Sequence, residues 1–272
     1  MVNDIFKARG CKGCISAALN VYSTNAKKIF KATYLWVLAL ALVSGAAVVG
    51  LPPLAVAAVG VVVFLLDARV TAALLKMLTD ADLRTLYLKT VKVKLVGLAA
   101  ALVVLSAVGG TVYALSLPKA VGTWSTTTYC LAMSAAGGAV ALVFMLLYSP
   151  LLSSVTRYVF SADAKFAEIF GKPYRDGLRR LGFLFSLSLA MGLLCLVFWL
   201  LLCVPGCITN FAETVDGYGV AAGDKSGLPS YFVCLNFLST FFMAIIMQYI
   251  MIWVTLTLFY AYGSVESLNN NN

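Results

Sequence analysis

Five stretches of this chain contain no charged side chain. Together they hold 168 of the 272 residues, and they run over 32–66, 95–118, 120–156, 181–212 and 226–265. A helix needs about 20 apolar residues to cross a hydrocarbon core roughly 30 Å thick. The last four stretches therefore predict one membrane span each. The first, with 35 residues, is long enough for either one kinked span or two short ones.

The composition is that of a membrane protein. The chain is 62% hydrophobic and 11% charged, whereas soluble domains contain roughly 45–50% apolar and about 25% charged residues. This composition predicts an all-α integral membrane protein. It excludes a secreted disulfide scaffold, a nucleic-acid-binding domain and a disordered tail.

The distribution of Lys and Arg decides how the first stretch is divided. Eighteen of the 20 basic residues lie before residue 32, in 67–94 or in 157–180, with six in each segment. Basic segments next to spans stay in the cytoplasm. Two spans on either side of Pro52-Pro53 place all three segments on one face. We therefore predict six transmembrane helices with both termini cytoplasmic, and a bacterial inner membrane is the favoured location.

Two of the predicted spans have unusual lengths. The second, 52–66, has only 15 residues, and we expect its apolar face to continue into the basic segment at Leu74, Leu75 and Leu78. The sixth, 231–262, would be about 48 Å long at 1.5 Å per residue. We expect this helix to be tilted or to project from the membrane, at the edge of the bundle.

A short phrase recurs in the basic segments. Residues 21–27 read VYSTNAK and residues 159–165 read VFSADAK, with a looser version at 77–82. Ser, Thr, Asn and Asp offer side-chain oxygens to the free N–H groups of a first helical turn. Each phrase therefore predicts the start of a helix.

These phrases divide the chain into three pseudo-repeated units. Each unit would hold a basic interfacial helix and a helical hairpin, within a single transmembrane domain over 1–272. The units run over 1–66, 67–149 and 150–262, and a polar tail follows at 263–272. Chance similarity in a biased composition is the alternative, because a genuine period should recur in every unit.

The polar side chains inside the predicted spans are neutral. The strongest candidates for an intramembrane polar site are Ser106, Ser186, Asn236 and Gln248. An amide in hydrocarbon needs a hydrogen-bond partner, so Asn236 and Gln248 predict either interhelical hydrogen bonds or a solute site. Small residues at four-residue spacing predict close helix contacts at Gly60, Gly110, Gly138 and Gly182.

The sequence lacks the residues that several kinds of catalytic site, metal site and ion relay require. The chain has no His, which removes His-based zinc sites and Ser-His-Asp triads. No charged residue lies in a predicted span, so the buried relay of an ion-coupled transporter is missing. We therefore predict no enzyme activity, no cofactor and no metal.

The pattern of the seven cysteines favours free thiols over metal ligands. Cys11 and Cys14 have the spacing of redox and metal sites, but a single pair without His favours free thiols. Residues 205–230 are predicted to form the large outer loop. In an oxidising compartment Cys207 and Cys234 form the best-placed pair for a disulfide across this loop, with buried free thiols as the alternative.

The basic face predicts contact with membrane lipids through anionic headgroups on the cytoplasmic side. Each cation near such a surface adds on the order of 1 kcal/mol. Nucleic acid is not expected as a partner, because topology alone accounts for these charges. The residues expected at the headgroups are Lys27, Lys28, Lys31, Lys89, Lys92, Lys94, Arg175, Arg179 and Arg180.

The sequence favours a structural or accessory subunit of a membrane complex. Such a subunit would pack against lipid and against another membrane protein or a second copy of itself. The uncharged interior of the predicted spans is the feature behind this interpretation. The alternative is a transporter or permease component for a neutral or lipid-like solute, using Asn236, Gln248 and the serines of spans three to five.

Overall fold

The computed structural model describes residues 5–48, 51–79, 81–116, 126–161, 164–225, 227–229 and 231–270. Every regular element within these ranges is helical. The α-helices are α1 (Cys11–Thr24), α2 (Ala26–Ala46), α3 (Pro53–Leu78), α4 (Leu83–Ser116), α5 (Thr126–Phe160), α6 (Lys172–Arg179), α7 (Leu181–Ala221) and α8 (Tyr231–Asn270). A 3₁₀ helix, Phe166–Phe170, lies between α5 and α6.

Within the described residues, six helices are long and apolar enough to cross a membrane, namely α2, α3, α4, α5, α7 and α8. This agrees with the all-α fold and the number of spans that the sequence predicts. These helices pack in the order α2, α3, α4, α5, α7, α8, and α8 returns to α2, so the six close a ring. In addition, α8 contacts α5 across the ring.

The prolines at 52 and 53 separate two helices that form a hairpin, as the distribution of basic residues predicts. Pro53 is the first residue of α3, where its fixed φ suits the first turn and its missing N–H costs no helical hydrogen bond. The Val56 N–H donates to the Pro52 carbonyl at 3.1 Å. The interpretation as one kinked helix is therefore wrong.

The buried core lies at the end of the bundle where the basic segments are. Leu74, Leu75 and Leu78 near the end of α3 are buried, as the extended apolar face of the second span predicts. They share a cluster with Leu86 of α4, Tyr158 of α5 and the second half of α8. In the most apolar stretches of α4 and α5, by contrast, no residue is buried.

We name the two ends of the bundle by this difference. The basic end contains α1, the start of α4, α6 and the last turns of α3, α5 and α8. The far end contains the Pro52-Pro53 turn and the connection between α7 and α8. The helices are therefore packed tightly at the basic end and are largely exposed to their surroundings towards the far end.

The position predicted for the sixth span at the edge of the bundle is wrong. α8 contacts α1, α2, α5 and α7, and buried residues such as Ile252 and Leu256 lie along it. At 40 residues it is about 60 Å long. The predicted excess length is real, but α8 is a central helix whose basic half forms much of the core.

The sequence predicts a separate polar tail at 263–272. In the structure, the part of this tail that is described, as far as residue 270, belongs to α8. Gly263, Ser264 and Val265 continue α8 and are buried. The Ser264 hydroxyl accepts from the Arg9 N–H and donates to the Arg9 carbonyl, both at 2.8 Å. The N-terminal arm covers this part of α8, which the local polarity of the tail did not reveal.

The large outer loop expected at 205–230 is mostly helix. α7 runs for 41 residues, about 61 Å, and passes through Pro205 to end at Ala221. A proline removes one hydrogen bond from a helix but need not end it when a neighbouring helix supports the backbone. Here α8 packs alongside α7, and Gly206 accepts side-chain hydrogen bonds from Thr209 and Asn210.

The repeated phrases do not begin helices in the same way. Asp82 accepts the Arg84 N–H at 3.1 Å and so caps the start of α4. Asn25 precedes α2, but its amide donates back to Val21 of α1 and makes no cap. After Ser161 the next described element is the 3₁₀ helix, so the amphipathic α-helix expected there is missing. Residues 80, 162 and 163 lie outside the described residues, and the pseudo-repeat is not confirmed.

Glycines make close helix contacts, but at positions other than those predicted. A Cβ on Gly45 would lie 2.9 Å from the Phe237 ring, and one on Gly177 would lie 2.8 Å from the Pro150 carbonyl. These glycines bring α2 against α8 and α6 against α5. At the predicted positions a Cβ would have no atom within 4 Å. These positions are Gly60, Gly110, Gly138 and Gly182.

Candidate functional site

Three helices meet at a polar cluster formed by Asp67, Lys94 and Gln248, which we call the polar clamp. The Lys94 ammonium lies 2.5 Å from Oδ2 of Asp67. The Gln248 side-chain amide donates to Oδ1 of the same carboxylate at 2.9 Å. One carboxylate of α3 therefore holds a cation from α4 and an amide from α8.

The polar clamp lies well inside the long helices. Asp67 is 14 residues after Pro53, about 21 Å along α3. Gln248 is 17 residues after Tyr231, about 25 Å along α8. A hydrocarbon layer of roughly 30 Å measured from these helix ends would reach just past the clamp. The clamp thus lies within such a layer, about 5–9 Å from its edge on the basic side.

The span-length helices extend beyond the uncharged stretches of the sequence and so include charged residues towards the basic end. Asp67 directly follows the predicted span 52–66, and α3 continues for 11 residues beyond it, as the apolar face of Leu74, Leu75 and Leu78 predicts. Lys94 likewise lies 11 residues after the start of α4. This equal spacing on either side of the turn is the signal in the sequence that pairs the two residues, since antiparallel helices place such positions side by side.

Arg69 adds a second charged contact beside the polar clamp. Its guanidinium lies 5.0 Å from the Trp36 ring centroid of α2 and 5.8 Å from that of Tyr87 of α4. Arginine over an aromatic face gains roughly 0.5–2 kcal/mol, more where water is excluded. The charges of α3 are therefore directed at the two helices that flank it.

The structure does not bring the four candidate intramembrane polar residues together. Gln248 belongs to the polar clamp, and Asn236 lies three turns earlier on α8, where its side-chain oxygen accepts from the Thr209 hydroxyl at 3.2 Å. Ser106 and Ser186 are both exposed. The two amides make interhelical hydrogen bonds, and the two serines face away from them on other helices.

The nine residues expected at lipid headgroups fall into two groups. Lys89 donates to the carbonyls of Tyr158 and Ser161, at 3.3 and 2.5 Å, at the end of α5. Lys94 is held in the polar clamp. The others are exposed or half-exposed at the basic end, and they are Lys27, Lys28, Lys31, Lys92, Arg175, Arg179 and Arg180.

The cysteines within the described side chains are free thiols. The predicted disulfide between Cys207 and Cys234 is not formed, and the Cys207 thiol lies 3.8 Å from that of Cys203 one turn away. Cys14 is fully buried in α1, and loss of hydration there raises the pKa of its thiol to about 11. No group of three or more metal-ligating side chains occurs in the described part of the chain.

The fold and the polar clamp define an all-helical chain with six helices able to cross a membrane, three of which are joined by a charged cluster. Comparison with protein-family models, with curated proteins and with solved structures finds no match to this chain.

Proposed function

We propose that this chain is a multi-pass membrane protein that serves as a structural or accessory subunit of a membrane complex. The observation that supports this proposal is the polar clamp. The carboxylate, ammonium and amide found within the long helices are bonded to one another across α3, α4 and α8. Groups bonded in this way hold helices in register, which is the work of a scaffold.

The proposed orientation places the basic end in the cytoplasm. The N-terminal arm and the end of α8 meet through Arg9 and Ser264, so both termini lie at the same end of the bundle. That end also carries the three basic segments, and basic residues beside spans are retained on the cytoplasmic side. A bacterial inner membrane remains the favoured location.

The surfaces available to a partner lie towards the far end. Gly109 and Gly110 of α4, and Gly137 and Gly138 of α5, have no neighbouring atom within 4 Å of where a Cβ would sit. In lipid, small residues allow helix backbones to approach closely and so drive association. We propose that α4 and α5 contact helices of another membrane protein or of a second copy of this chain.

The alternative proposal is transport of a lipid-like solute. An apolar cavity of about 490 Å³ lies between α1, α2 and α8, with Tyr22, Phe30 and Trp253 among its walls. This cavity is the observation that favours the alternative. Its support is weaker, because Ser106, Ser186 and Asn236, which were expected to serve a solute, do not line it.

Leucine at Gly138 tests the subunit role. We expect Gly138→Leu to abolish the association of α5 with its partner, because the added side chain prevents close backbone approach. The isolated chain should keep its stability, since the position faces open space. The measurement is chemical crosslinking in native membranes followed by the mass of the crosslinked product, with helix content and thermal unfolding of the purified chain alongside.

Ala139→Leu is the matched control for this experiment. It places the same leucine side chain at the next exposed position, which faces about 100° away around the helix. The control should retain the crosslinked product. A wild-type chain that forms no such product, or a Gly138→Leu variant that forms as much as wild type, would contradict the proposed role.

A further inference from the structure

A cavity of about 230 Å³ opens at the basic end, between the last turns of α5, the 3₁₀ helix and the start of α6. Ser154, Tyr158 and Ile169 are buried and form its floor. Arg157, Lys165 and Lys172 line its sides together with one carboxylate, Glu168. The cavity therefore has a formal charge of +2, from three cations and one anion.

The three cations of this cavity outnumber its one carboxylate, and none of them forms a salt bridge within the described part of the chain. Arg157, Lys165 and Lys172 form no ion pair there with an acidic side chain, whereas Lys94 is bound to Asp67. Arg157 is also partly buried. A partly buried guanidinium gains most from an anion that accepts two of its N–H groups, and a phosphate has this geometry.

The backbone adds to the positive potential of the cavity. Gly171 and Lys172 line it at the point where α6 begins. No side chain caps this helix start, and Pro173 has no N–H, so Lys172 and Tyr174 carry the first backbone N–H groups of α6. A helix N-terminus contributes a partial positive charge that favours phosphate.

The cavity lies close to the level at which lipid headgroups begin, because a hydrocarbon layer of roughly 30 Å measured from the far helix ends reaches about 5–9 Å beyond the polar clamp. Lys89, which donates to the Tyr158 carbonyl beneath the cavity, is five residues, about 7 Å, beyond Lys94 along α4. The headgroup layer extends roughly 5–8 Å beyond the hydrocarbon on each side. A phosphate held by Arg157 would thus be in the plane of membrane phosphates.

From these observations we propose that the cavity is a specific binding site for the phosphate group of a phosphate ester, with Arg157 and Lys172 as its principal ligands. The site differs from the diffuse headgroup contact of the exposed lysines because it has a defined volume, a buried floor and converging donors. It does not depend on the subunit role proposed above. The Glu168 carboxylate repels the bound anion and so lowers its affinity for the cavity.

The experiment measures binding to the purified full-length chain in detergent micelles by titration calorimetry. The probes are a short-chain phosphatidate, the matching short-chain phosphatidylcholine and inorganic phosphate. We expect saturable binding of the phosphatidate. The double variant Arg157→Gln/Lys172→Gln should weaken it at least tenfold, since each cation contributes on the order of one factor of five. Glu168→Gln should strengthen binding severalfold, by removal of like charge.

The matched control is Lys12→Gln/Arg84→Gln, which removes the same charge from exposed positions outside the cavity. Its affinity should stay within about twofold of wild type, because exposed charges are well screened. Binding of inorganic phosphate as well as phosphatidate would show that the site recognises the phosphate group alone. Binding of phosphatidate only would identify a lipid as the source. Equal losses in the two double variants, equal binding of phosphatidylcholine, or no saturable binding of any probe would overturn the proposal.

Discussion

Gly263→Leu is expected to release the N-terminal arm from α8 and to lower the free energy of unfolding by roughly 3 kcal/mol. A Cβ at this position would collide with the backbone of Ile5, and backbone cannot move aside as a flexible side chain can. The two hydrogen bonds between Arg9 and Ser264 would be lost with the displacement. Each is worth about 1 kcal/mol, and overpacking adds roughly 1–3 kcal/mol.

Two measurements check this result. Unfolding of the purified chain by SDS in mixed micelles gives the change in free energy, and limited trypsin digestion should cut faster after Lys7 and Arg9. Gly217→Leu is the matched control, because the same change there meets no atom within 4 Å. Equal stability and equal digestion of the two variants would show that the arm does not pack on α8.

Asp67→Ala is expected to lower the free energy of unfolding by about 2 kcal/mol. Removal of one partner from a buried ion pair costs roughly 3–5 kcal/mol. Asp67 and Lys94 are 33% and 25% exposed, so solvent screening reduces the effect. The variant leaves the Lys94 ammonium without its carboxylate, and it removes the acceptor of the Gln248 amide.

A double-mutant cycle separates this interaction from side effects of the substitution. Asp67→Ala/Lys94→Met should cost about 1 kcal/mol less than the sum of the two single variants, because the double variant leaves no unpaired charge. Asp176→Ala, also partly exposed, is the control and should change stability by less than about 0.5 kcal/mol. Additive effects of Asp67→Ala and Lys94→Met would show that the polar clamp does not couple α3 to α4.

The number of long helices followed from the sequence because its causes are local. Uncharged stretches of sufficient length, together with Pro52-Pro53, divide the chain without reference to its packing. The apolar positions Leu74, Leu75 and Leu78 continue a helical face, so their burial could also be predicted. These inferences need only the period of a helix and the solvent preference of each side chain.

The packing of the helices could not be predicted in the same way. Gly45 and Gly177 contact a phenylalanine and a proline on distant segments, whereas the glycines with favourable spacing face open space. Burial of Ser264 depends on a backbone 255 residues away in sequence. Such contacts depend on which faces meet, and the spacing of residues along one helix does not contain that information.

The residues of the candidate sites could be predicted from the sequence only in part. Gln248 was singled out because an amide in an apolar helix needs a partner, but its partner Asp67 was placed outside the span. The pairing of Asp67 with Lys94 was accessible from their equal distances to the turn between α3 and α4. The cavity at the basic end could be found only from the fold, because the 3₁₀ helix and the start of α6 place Lys165 and Lys172 around the same cavity as Arg157.

The central claim is that six helices cross a membrane with all three basic segments on one side. Single cysteines at Asn20, Phe170 and Lys225, in a chain whose native cysteines are replaced, test it through labelling of intact cells with a membrane-impermeant maleimide. We predict that Asn20→Cys and Phe170→Cys label only after permeabilisation, while Lys225→Cys labels on intact cells. Labelling of Asn20→Cys and Phe170→Cys from opposite sides of the membrane would contradict the six-helix topology.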